Sequence, residues 1–270
     1  MLRIPTAVFA LLLLPGPASA VDVTTCGQTV PRGDVGTLTA DLDCTGAPYG
    51  VPAVNLSEHA TLALNGFVIR AHGLAALCED VRKCSVLGPG EIDGAGLQAD
   101  GGMILSDVYI HDTVTGVNTY GGVLRATNVT LARVDGFAIA AASVRAENLT
   151  VTDSLQFGIY AVRKFRGKTI TVTGNGWSGL FSRRVVVDGL VAQGNGAGPV
   201  PTAVYGAGVQ SYHGATLANA VVTGNTFNGT PLDVLTVRRP VLIASTCDHS
   251  GQGDGSTGAS LGTWGVCSLD

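Results

Sequence analysis

Along most of this chain apolar and polar residues alternate in short runs, and the runs return at a steady interval. Six segments superimpose: Asp107–Thr113 (DVYIHDT), Asn128–Val134 (NVTLARV), Asn148–Ser154 (NLTVTDS), Thr169–Asn175 (TITVTGN), Gly189–Asn195 (GLVAQGN) and Asn219–Asn225 (NAVVTGN). They begin about 20 residues apart until a step of about 30 before the last, where a Gly-, Ala- and Pro-rich insertion runs from Gly196 to Gly206. A glycine and an apolar residue follow in each period, at Gly116-Val117, Gly136-Phe137, Gly158-Ile159, Gly179-Leu180 and Gly208-Val209. A further run precedes each segment: Ile104-Leu105, Leu124–Ala126, Val144–Ala146, Phe165–Gly167 and Val185–Val187.

Alternation over so few residues predicts half-buried strands, too short for helices. Three such strands per period, separated by Asn, Asp and Gly, make one coil of about 20–22 residues. No coil can bury its apolar side alone. Stacking coils about 4.8 Å apart closes the backbone hydrogen bonds and builds one continuous core. The predicted fold is therefore all-β, a parallel β-helix with disulfide-tied ends. A β-sandwich also has short strands, but its turns would not fall into register every period.

In-register stacking places equivalent residues above one another. Asp107, Asn128 and Asn148 form one predicted column at a tight corner, and Asn175, Asn195 and Asn225 a second. Both are expected to be structural, because Asn bonds neighbouring backbone and tolerates the left-handed conformation of tight turns. Asn55, Asn128, Asn148 and Asn228 also open Asn-Xaa-Ser/Thr sequons, which the ladder already explains. The threonines at 130, 150, 152, 171 and 173 read as a solvated strand face, and Asp112, Arg133 and Asp153 as a surface ion ladder.

Composition narrows the class. The chain has 270 residues, 46% hydrophobic and 13% charged, with 38 glycines, which excludes disorder, a coiled coil and a collagen-like fibre. No run approaches the ~18 apolar residues of a spanning helix, so no membrane span is expected. A net charge of −4 and a pI near 5.7 give no reason to expect nucleic acid as partner. Met1 to Arg3, an apolar stretch from Ala7 to Leu14, Pro15-Gly16-Pro17 and Ala18-Ser19-Ala20 read as a signal peptide over 1–20. A secreted, periplasmic or extracellular location follows. The remainder, 21–270, is expected to be one β-helix domain with a cap over 21–50, coils over 51–238 and a second cap over 239–270. Six cysteines allow fifteen connectivities, and they fall into three local pairs: Cys26 with Cys44, Cys78 with Cys84, and Cys247 with Cys267. Without a CxxC or a histidine at ligand spacing, disulfides are expected and metal is not.

Four motifs carry a resemblance to a known family. They are Cys26-Gly-Gln-Thr29, Leu38–Cys44 (LTADLDC), Leu64–Ile69 (LNGFVI) and Cys84–Gly94 (CSVLGPGEIDG). With the coils that follow, the chain resembles the right-handed parallel β-helix proteins of the pectate lyase-like superfamily, particularly small secreted members, over most of residues 23 to 245. The resemblance implies an acidic polysaccharide, uronate-containing, as partner, and a lyase or epimerase if the chain is catalytic. It also implies that substrate lies on the third strand column.

The outward positions of that column, by alternation from the glycine, are Asn118 and Tyr120, Ala138 and Ala140, Tyr160 and Val162, Phe181 and Arg183, and Gln210 and Tyr212. Aromatic rings here, with Trp177 on the bend before, suit stacking on sugar rings, while Arg183, His213, Gln210 and Asn118 suit bonding to hydroxyls and carboxylates. The resemblance implies Arg183 as base and Tyr212 or His213 as acid. The calcium half of such a site is missing, because none of these outward positions is Asp or Glu, and no cofactor is expected. Arg125, Arg145 and Arg166 stack on consecutive coils opposite buried Leu124, Val144 and Phe165, and are read as anion ligands. A monomer is expected. The alternative is a non-catalytic surface or envelope solenoid, a spacer or adhesin.

Overall fold

The structure, a computed structural model, describes residues 20–48, 50–79, 83–198, 206–254 and 261–270. The leader read over 1–20 lies outside these residues apart from Ala20, as does 199–205 of the insertion. Among the described residues every regular element is a strand, and no helix is long and apolar enough to cross a membrane.

Nearly all strands join one parallel sheet that wraps into a β-helix of about nine turns with coils of about 21 residues. The long strands run through the corners, so that Val117–Val134 alone lines three sides of a coil. We call these sides faces A, B and C. On face A, Val117 pairs with Ile139, then Ile159, Leu180, Val209 and Val234 up successive coils. On face B the column is Leu124, Val144, Phe165, Val185 and Ala215. On face C it is Leu131, Val151, Val172, Ala192 and Val222. These residues point inward and are fully or almost fully buried, forming one core along the axis. Strand Ala20–Val23 already pairs with Val35–Leu38, and that with Thr61–Ala63, so the face B column includes Ala20.

The register corrects one period. Val117 lies beside Ile139, so Gly136-Phe137 falls two residues before the position matched to Gly116-Val117, and Ala138, expected to face outward, is buried. Phe137 thereby sits at the bend leading into face A and stacks on Phe157 one coil above, ring centroids 5.5 Å apart.

The two corner columns differ in kind. Between faces B and C, Asp107, Asn128 and Asn148 have φ of +59°, +54° and +53°, and each Asn donates to the residue one coil below. That is the expected left-handed ladder. Between faces C and A the left-handed residues are Asp112, Arg133 and Asp153 on the lower coils and Gly174, Gly194 and Gly224 on the upper ones. Asn175, Asn195 and Asn225 after them are buried and form a hydrogen-bonded chain: the Asn175 and Asn195 side chains donate to the next Asn oxygen at 2.8 Å, and Asn225 donates to Asp233 at 2.8 Å. The same column satisfies buried backbone N–H groups at the bend: those of Ser154, Asn175 and Asn195 donate to the next Asn Oδ1, and that of Asn225 to Asp233.

Disulfides join Cys26 to Cys44, Cys78 to Cys84 and Cys247 to Cys267, the three local pairs. The first and last tie the two ends of the solenoid, where a coil lacks a stacking neighbour on one side. At the C-terminal end the Asp270 carboxylate accepts hydrogen bonds from the Ser250 hydroxyl and from the Val266 and Cys267 N–H groups.

Candidate functional site

The aromatic residues gather on the outside of face A. Tyr160 and Phe181 occupy the same outward position on adjacent coils, and register alone stacks their rings at 5.0 Å with an 8° interplanar angle. Tyr212, one coil further, meets Phe181 edge-on at 5.0 Å. From the C–A bend, Phe157 meets Trp177 at 5.1 Å, and Phe137 meets Tyr160 at 5.7 Å. The result is a ledge outside the solenoid core in which half-buried Tyr160, Trp177, Tyr212 and Phe137 rest on the buried rings of Phe157 and Phe181.

Two predicted contacts lie beneath this ledge. Phe181 is 3% exposed and Gln210 1% exposed, because neighbouring rings and bends cover them. Gln210 accepts a hydrogen bond from Ser178 at 2.8 Å, which makes it a support for the bend that carries Trp177. Arg183 and His213 are exposed at the rim, with the guanidinium 3.3 Å from the His213 Nε2. A guanidinium can only donate, so the imidazole nitrogen accepts in that contact.

Asn118 lies two coils below Tyr160, across the small Ala140. It pairs with Gln98 one coil further down, and with Gln98, Thr115, Leu97 and the exposed Tyr120 it lines a cavity of about 260 Å³. Face A therefore offers a continuous outward track, amides at one end and rings at the other.

The predicted arginines are elsewhere. Arg125, Arg145 and Arg166 stand in register on face B, around a corner from the ledge. They are exposed, and among the described residues none makes an ion pair. The next outward column, Thr127, Glu147, Lys168 and Asp188, alternates in charge over its last three members, and Lys168 lies 3.9 Å from Glu147. Clefts of about 410 and 270 Å³ run along the arginine column. Lys164 lines the smaller one, and partial desolvation with the charges of Arg166, Arg184 and Arg145 holds its ammonium below the usual lysine range. The site expected as one constellation is split into an aromatic ledge and a cationic column.

At the end of face C the Asp112–Arg133 step of the expected ion ladder forms, and it is joined by His111 and Glu91, which the ladder did not include. His111 is 8% exposed; its Nε2 lies 2.9 Å from Glu91 and its Nδ1 2.5 Å from Asp112 and 3.7 Å from Asp93. Arg133 clamps Asp112 through two bonds of 2.7 and 2.6 Å, and the Tyr109 ring stacks on the imidazole at 4.4 Å. Burial disfavours the imidazolium, but hydrogen bonds to Asp112 and Glu91 outweigh it and raise the His111 pKa. Arg133 and then His111 hold the Asp112 carboxyl well below the usual range. Asp93, His111 and Asp112 bring three ligand atoms within 4.8 Å, the one such group among the described residues. Arg133 already supplies the positive charge there, so the group is an ion-pair node. The available signal was the coil spacing of Glu91, His111 and Arg133, which brings them together only once Asp93 and His111 are placed in register.

Comparison with known proteins gives no match: no family model, no curated protein and no solved structure aligns with this chain. The architecture itself defines the class, a disulfide-tied parallel β-helix.

Proposed function

We propose that this β-helix is an exported protein that binds an acidic polysaccharide on the aromatic ledge of face A. The observation that carries the reading is the position of the rings. A solenoid keeps its apolar residues inside, yet Tyr160, Trp177, Phe181, Tyr212, Phe137 and Phe157 cluster on the outer wall, apart from the core. Half-buried rings locked by their contacts with one another suit stacking against pyranose faces, and preorganisation lowers the entropy cost of binding. Arg183 at the rim supplies a charge-assisted donor for a carboxylate.

Three disulfides favour an oxidising compartment, which supports export. The motif resemblance to the pectate lyase-like superfamily supports a uronate as ligand. If the ledge also turns its ligand over, the resemblance gives Arg183 the role of base and Tyr212 or His213 that of acid. The test is a panel of uronate polysaccharides with the full-length mature protein, following binding and the ultraviolet absorbance of unsaturated products together. Trp177→Ala and Tyr212→Ala are each expected to weaken binding about tenfold, near 1.4 kcal/mol. Unchanged binding in both variants overturns the ledge. Absorbance growth lost in His213→Ala identifies a lyase, and binding without growth identifies a recognition module. Silence on both favours a rigid spacer.

A further inference from the structure

We infer that face B is a second binding track, separate from the ledge, which takes a linear anionic glycan laid along the solenoid axis with its charges on Arg125, Arg145 and Arg166. The inference rests on charge and register alone and stands whether or not the ledge binds sugar. Parallel pairing places the three guanidiniums at one position on consecutive coils, about 4.8 Å apart. Like charges at that spacing repel, and the adjacent column shows how this fold relieves repulsion, by alternating Glu147, Lys168 and Asp188. The arginine column has no such alternation. Lys164 adds a further cation beside it, lining the same cleft as Arg145 and Arg166.

The shape of the track selects the ligand. Ala126, Ala146 and Gly167 form the floor between the two outward columns, leaving an open trough along the axis. Its cations are strung over three coils and do not converge on a point, as a lone phosphate or sulfate would require. A nucleic-acid strand is held by aromatic stacking platforms, and the outward residues of face B on these coils, Arg, Lys, Thr, Ser, Glu and Val, include no ring. A polymer with one carboxylate or sulfate per sugar, whose repeat is commensurate with the coil rise, meets each arginine in turn.

The experiment uses the mature protein with two orthogonal probes: oligouronates of graded length, and poly-L-glutamate, which has anions and no sugar rings. Affinity for both should rise with length until three coils are spanned and then level. Arg145→Gln should lower affinity for both about tenfold and reduce the salt dependence by about one charge. Arg145→Lys should retain most of the binding, and Glu147→Gln should tighten it. Trp177→Ala should leave poly-L-glutamate binding unchanged, which separates failure of the track from failure of the ledge. Binding of both probes unaffected by Arg145→Gln overturns the track. A single-stranded oligonucleotide bound more tightly than an oligouronate of equal charge overturns the glycan assignment.

Discussion

Replacing Asn195 by Ala tests how the wall that carries the ledge is held. Asn195 is fully buried at the C–A corner, one coil above the bend that carries Trp177. Its Oδ1 accepts from the Asn175 backbone N–H at 3.1 Å and from the Asn175 amide at 2.8 Å, and its own amide donates to Val172 O at 3.0 Å and Asn225 at 2.8 Å. Truncation leaves two Asn175 donors and two acceptors without their partner. A buried polar group left unmade costs about 1–3 kcal/mol. Two stranded donors give about 2–6 kcal/mol, a large share of the 5–15 kcal/mol that holds a typical domain. Equilibrium urea unfolding of Asn195→Ala should show this loss with an unchanged slope. Asn148→Gly on the exposed B–C corner is the control. It removes one solvent-accessible bond at 2.9 Å and relieves a φ of +53°, so its effect should stay within about 1 kcal/mol. If Asn195→Ala loses no more than Asn148→Gly, water replaces the carboxamide and the buried ladder is not what fixes this corner. Ring contacts at Trp177 should loosen in parallel, seen as a shift in its fluorescence.

The ionic groups make the pH profile of stability two-sided. His111 has a raised folded pKa, so its contribution is full below about pH 6.5 and fades as pH climbs through the folded value; His111→Gln should flatten that alkaline limb in thermal melts. Asp270 works in the opposite direction. Burial alone would raise its pKa, but hydrogen bonds from Ser250, Cys267 and Val266 hold it at about 2, so its contribution is present above about pH 4 and is lost as pH falls toward 2. Asp270→Asn should flatten the acid limb, and an unchanged limb would mean the tie is not formed in solution. Cys247→Ser with Cys267→Ser should cost about 3 kcal/mol in urea unfolding, since the bridge closes a loop of 20 residues, and should fray the last coils first by amide hydrogen exchange.

Much of the architecture was legible because a β-helix repeats its reasoning. Leu124, Val144 and Phe165 were assigned inward from alternation alone, and the register shows them stacked and buried. The disulfide pairs followed from proximity in sequence. Where the period slips, alternation misled: Ala138 and Phe137 exchanged roles because coils differ in length at the bend before face A. The second Asn column was expected to supply left-handed turns, and the preceding glycines supply them instead.

The sequence by itself determined the repeat, its strands and which side of each strand meets the core, because apolar alternation and coil length are local properties that stacking only amplifies. Tertiary structure decided which outward residues share a face. Three chain directions per coil carry neighbours in sequence to different walls, so Arg166 and Arg183 part while residues a full coil apart meet. It also decided that Phe181 and Gln210 lie beneath the ledge and that Glu91, His111, Asp112 and Arg133 join into one node. Those outcomes depend on the lateral offset of one coil over the next, and each offset is set by corner geometry in three dimensions.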